Sequence, residues 1–114
     1  MRILDVCNPL LVADILVEAF KKMNDEEFLR TLNGTKIRGD EFARTDDSDF
    51  CGQLNEQDAT EYANLCRAFH DALQRLNALP SSKAALFQLA SVIAWWQTIS
   101  TFRTMFRGEP LEKI

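Results

Sequence analysis

Nineteen consecutive residues, from Ala84 to Phe102, carry no charge, and Lys83 and Arg103 bracket them. Such a segment has to be covered by something. Leu89, Val92, Trp96, Ile99 and Phe106 recur at steps of three and four or their sum, and Leu86, Ile93 and Trp95 widen the apolar sector well beyond a narrow stripe. The opposite side reads Ala90, Ala94, Gln97, Thr101. It is small and uncharged, the surface of a helix that expects another helix rather than bulk water. About 20 apolar residues would also cross a bilayer. Gln88, Ser91, Gln97, Thr98, Ser100 and Thr101 interrupt this run, however, and two glutamines in hydrocarbon would need partners that a single span cannot supply. The stretch therefore predicts a buried central helix with no membrane role.

With 114 residues, 46% of them hydrophobic and 26% charged, the chain is long enough to bury a core without staples, and it is expected to fold as a single helical domain over residues 1–114. Met1-Arg2-Ile3-Leu4-Asp5, followed by Asn8-Pro9 and Asp14, forms no uninterrupted apolar leader, so a cytoplasmic location is expected. Cys7, Cys51 and Cys66 are odd in number and widely spaced, which predicts reduced thiols acting as small apolar fillers. The charge of −4 is unevenly spread. Residues 40–61 hold eight acids (Asp40, Glu41, Asp46, Asp47, Asp49, Glu56, Asp58, Glu61) and Arg44 as sole base, net −7, which leaves the remainder at net +3. No clustered basic face is visible, so direct nucleic-acid binding is not expected.

In chain order, Asn8 is a good N-cap and Pro9 suits the first position of a helix running to about Met23. Leu11, Val12, Ile15, Leu16, Ala19, Phe20 and Met23 fill most of its circumference, which predicts a mostly buried helix. Asn24, with Glu27 three residues on, predicts a second, short helix that ends at Asn33-Gly34. From Thr35 to Leu54 no period is evident, and Gly39 and Gly52 punctuate the charge. This predicts one long acidic loop (35–54), pinned to the body at Ile37, Phe42 and Phe50, with a turn of helix near Asp40 to Arg44. Asn55 then caps a third helix whose seam is Tyr62, Cys66, Phe69, Leu73 and Leu76. Pro80 ends it and Ser81 or Ser82 caps the fourth. So short a connection predicts an antiparallel hairpin of helices three and four, with the first two helices packed across it. Gly108 is expected to close helix four, and residues 109–114 form a tail.

Chemistry-bearing patterns are sparse. His70 is the only histidine and falls off the seam of the third helix. Phosphotransfer domains also carry a histidine on a bundle helix, but His70-Asp71-Ala72-Leu73-Gln74 has an acid where a phosphate would be repelled. Cys66 precedes His70 by four residues, yet one lies on the seam and the other off it. Asp46, Asp47, Asp49 and Gly52 resemble a fragment of a calcium loop. Counted from Asp47, glycine stands sixth, but the fifth position is Cys51 and the twelfth is Asp58 instead of glutamate. Arg38-Gly39-Asp40 is a chance tripeptide. No catalytic, metal or cofactor site is expected.

The sequence thus points to an all-α bundle that works by binding another protein, as an inhibitor, immunity factor, adaptor or assembly chaperone. Its expected docking residues on a basic partner are Asp40, Glu41, Asp46, Asp47, Asp49 and Glu56, since concentrated charge speeds and orients association. Trp95 and Trp96 lie about 100° apart on one helix and cannot both face helix three. With the small face, the surplus ring suggests a homodimer through Ala90, Ala94, Trp95, Gln97 and Thr101. The alternatives are a phosphorelay or enzyme component centred on His70 and a structural homo-oligomer subunit.

Overall fold

The computed structural model describes residues 3–106, which are almost entirely helical and contain no strand. The helices are α1 (Ile3–Val6), α2 (Pro9–Lys22), α3 (Asp25–Arg44), α4 (Ser48–Gly52), α5 (Glu56–Asn77) and α6 (Leu86–Phe106), with a 3-10 turn (Lys83–Ala85) ahead of α6. No helix among the described residues is long and apolar enough to cross a membrane. The expected Gly108 cap and 109–114 tail lie outside the described residues.

Asparagines set the helix starts. The Asn8 side chain accepts from the Leu10 amide at 3.0 Å, Asn24 from Glu27 at 2.8 Å and Asn55 from Asp58 at 2.8 Å, each satisfying an amide that the first helical turn leaves without a partner. Asn24 and Glu27 are joined a second time through their side chains at 2.9 Å. Ser82 caps the 3-10 turn through the Ala84 amide.

Helix α6, uncharged up to Arg103 in its last turn, is the centre, with α1, α2, α3, α5 and the 3-10 turn all packed on it. Leu89, Ala90, Val92, Ala94, Thr98 and Ile99 are fully buried. Helix α2 lies antiparallel along α6: Cys7 Sγ meets Thr98 Oγ1 at 3.4 Å at one end, and Lys83 donates to the Met23 carbonyl at the other. Thr98 shares a four-residue stripe with Ala90 and Ala94, so the small residues bring α2 close. On another side of α6, Trp96 and Phe102 meet Phe69 and Tyr62 of α5, with ring centroids 5.7 and 5.4 Å apart.

Two expectations are corrected here. Helix α2 buries only one side, through Pro9, Val17 and Phe20, while Leu10, Leu11 and Ile15 are 72%, 62% and 70% exposed. More important, there is no loop over 35–54. Helix α3 runs through Gly34 and Gly39 to Arg44, and α4 follows after three residues. Its buried positions, Phe28, Leu32, Thr35 and Gly39, are spaced four, three and four, and the half-buried Phe42 extends the series by three. That seam closes on α5 because Gly39 has no side chain: a Cβ there would stand 2.9 Å from Leu73 Cδ1. Lys36 to Ser81, Asp40 to Asn77, and Phe42 against Phe69 mark an antiparallel pairing along α5.

Candidate protein-binding surface

The acids expected to dock are distributed by these helices rather than strung along a loop. Asp40, half-buried on α3, accepts from Asn77 Nδ2 at 3.4 Å near the end of α5. Asp47 accepts from the Tyr62 hydroxyl at 2.9 Å, fifteen residues earlier on that helix. At 1.5 Å per residue the two contact points are about 22 Å apart, so the six acids do not form one patch. Asp46, Asp49 and Glu56 are exposed around the α3–α4 corner and the start of α5, with Glu41 exposed on the last turns of α3.

The corner is built by aromatic packing. Phe50 of α4 is buried, with ring centroids 5.0 Å from Tyr62, 6.3 Å from Phe102 and 5.4 Å from Phe106. The Arg103 guanidinium lies 4.8 Å from the Phe50 centroid, within cation–π range. Further back, Phe42 packs against Phe69 at 5.3 Å and Trp96 at 5.6 Å. Of the three apolar residues expected to pin this segment, Phe42 and Phe50 do so, while Ile37 is exposed.

Electrostatics separate acids that hold the corner from acids that face water. Asp47, at the start of α4, makes no side-chain cap bond and turns instead to Tyr62. Burial, and then this hydrogen bond to a carboxylate, raise the Tyr62 phenol well above its usual range. Asp46 accepts from the Ser48 hydroxyl and, at 3.0 Å, from the Ser48 amide; these bonds hold its carboxyl below its ordinary value. Among the described residues, the ion pairs link Lys21 with Glu18, Arg30 with Glu26, Arg75 with Asp71, and Lys83 with Asp25. None involves an acid of residues 40–61.

Ala90 and Ala94 are covered by the chain's own helices and offer no surface to a second copy. Gln97 is exposed and Thr101 half-buried, and both border α2 at a hollow that includes Val6, Leu11 and Ile15. Trp96 packs on Phe69 of α5, while Trp95, half-buried, borders another part of the same helix beside Leu65 and Glu61, next to Ile3 of α1, so the two rings are not divided between α5 and another surface. His70 is exposed on α5, and the neighbouring Asp71 is engaged by Arg75 at 3.1 Å. Burial raises the Cys66 and Cys51 thiols, which keeps both protonated and poorly nucleophilic. His70 is not among the groups acting on Cys66. The calcium-like fragment runs from the α3–α4 connection into α4, and among the described residues no three metal-ligating side chains converge.

Sequence reasoning missed the Asp47–Tyr62 bond and the apolar hollow beside Trp95. Helical spacing of Gln57, Glu61 and Asn64 along α5 was the available signal for the latter. The chain matches no protein-family model, no curated protein and no solved structure.

Proposed function

We propose that the chain is a non-enzymatic protein-binding module that docks on a basic partner through Asp46, Asp49 and Glu56, an acidic corner held in place by α4. The observation that carries this reading is that these carboxylates are exposed and linked to no base among the described residues, on a corner fixed by buried rings. Preformed charge orients an encounter without the cost of ordering a loop. Asp40 and Asp47 are tied into the fold and support the surface rather than form it. The test is the triple variant D46N/D49N/E56Q against the partner captured by the native chain. Retained folding with lost capture supports the reading; capture at wild-type strength ends it.

A second reading, a homo-oligomer, is favoured by the exposed side chains of Leu10, Leu11 and Ile15 on α2. Apolar patches of this kind, rimmed by polar residues, mark association sites. The contact would run through α2, since the small residues of α6 are already covered.

A further inference from the structure

A groove runs along the junction of α1, α5 and α6. Its floor is Trp95, Leu65 and Ile3, and its α5 wall is formed by Gln57, Thr60, Glu61 and Asn64. The wall positions recur at helical steps of three and four, so they line one face of α5 over about 10 Å. A second hollow adjoins it around Ile3 and Glu61, and adds Asp58 beside the rings of Phe102 and Phe106. Among the described residues, no base lines either hollow.

We propose that this groove receives an amphipathic helix of the basic partner, with its apolar side on Trp95 and Leu65 and its lysines or arginines against Glu61 and Asp58. The proposal rests on the reading that the chain docks on a basic protein, and it names what that protein must present. Three features fix the occupant. The trough is apolar and bounded by two long helices, the setting in which a third helix lays down anchors at steps of three and four. Its polar edge carries the carboxylate of Glu61 among neutral Gln57, Thr60 and Asn64, with Asp58 in the adjoining hollow, which selects cationic side chains on the flank of that helix. A second copy fits less well, because Glu61 and Asp58 would then face a chain of net charge −4. Trp95 supplies the kind of large, partly exposed ring on which binding energy concentrates.

The test titrates the isotopically labelled full chain with a synthetic peptide of about 18 residues, long enough to be helical when docked. The peptide carries leucine at alternating three- and four-residue steps and lysine on its other face. A control has glutamate in place of every lysine. The expected result is saturable shifts of the Trp95 indole N–H and of the Glu61 and Leu65 amides with the lysine peptide alone. Glu61→Lys should weaken binding about tenfold or more, and the shape-preserving Glu61→Gln by less. Shifts confined to Asp46, Asp49 and Glu56 with Trp95 unmoved would overturn the groove and leave the acidic corner standing. No salt-sensitive binding anywhere would overturn both. Equal binding of the glutamate peptide, or Trp95 shifts that depend on protein concentration without peptide, would overturn the basic occupant in favour of an indifferent apolar ligand or a second copy.

Discussion

The phenol of Tyr62 donates a 2.9 Å hydrogen bond to the carboxylate of Asp47, fastening the corner between α3 and α4 to α5. Tyr62 is only 2% exposed and its ring also packs on Phe50 and Phe102. Tyr62→Phe keeps those contacts and removes only the hydroxyl. A bond to a charged group contributes about 1.5–3 kcal/mol, and urea unfolding should register a loss in that range. Unchanged stability would mean that the corner is held by its rings alone.

The same hydroxyl sets a limit at high pH. The folded chain keeps the phenol protonated above the ordinary value of 10.0, whereas the unfolded chain releases the proton there. The folded state then binds more protons, so stability falls as pH rises. The contribution is whole below pH 10 and declines above it, by about 1.4 kcal/mol per pH unit for one group. The raised thiols of Cys51 and Cys66, ordinary value 9.0, add to the decline from a lower onset. Thermal melts across pH 8–11 should show the fall, and Tyr62→Phe should flatten the part above 10.

The two glycines of α3 make opposite predictions. A Cβ on Gly34 would meet only Arg38 Nη2 at an ordinary 3.6 Å, so Gly34→Ala should stabilise the chain by about 0.5–1 kcal/mol through helix propensity. Gly39→Val drives bulk into Leu73 and should destabilise by about 1–3 kcal/mol. If Gly34 instead ended a helix in the left-handed conformation, Gly34→Ala would be destabilising, and denaturant midpoints separate the two cases.

Assembly is tested on α2. Ala94 is fully buried, so Ala94→Glu places a charge in the core and should unfold the chain whether or not it dimerises. Leu11→Glu and Ile15→Glu lie on the exposed side and should leave circular dichroism unchanged. If the native chain sediments as a dimer at low micromolar concentration, these two variants should sediment as the 13 kDa species; a dimer that survives both would rule out the α2 face.

Most of the helical framework is legible in the residues, because Asn8, Asn24 and Asn55 announce their helices and the uncharged run of α6 has only one economical fate. Helix α3 beyond Asn33 is not legible by apolar periodicity. Its seam passes through Thr35 and Gly39, which score as polar and as a helix breaker, yet both are buried, Gly39 because Leu73 of α5 approaches closely there. Each glycine costs about 1 kcal/mol of helix propensity, a penalty that burial of Phe28, Leu32 and Phe42 outweighs. The acidic character of residues 40–61 is plain in the sequence. Which carboxylate turns inward is not, since one acid among eight gives no local sign that a buried tyrosine on another helix will claim it.

The central claim, a preformed acidic corner that steers docking, is tested most directly by association kinetics with the native partner at low and physiological salt. Exposed charges act over about 8 Å at physiological ionic strength and over longer range in dilute salt. D46N/D49N/E56Q should therefore slow association of the folded chain at low salt, with the difference from the native chain shrinking as salt rises. Equal association rates for the two proteins at low salt would contradict it.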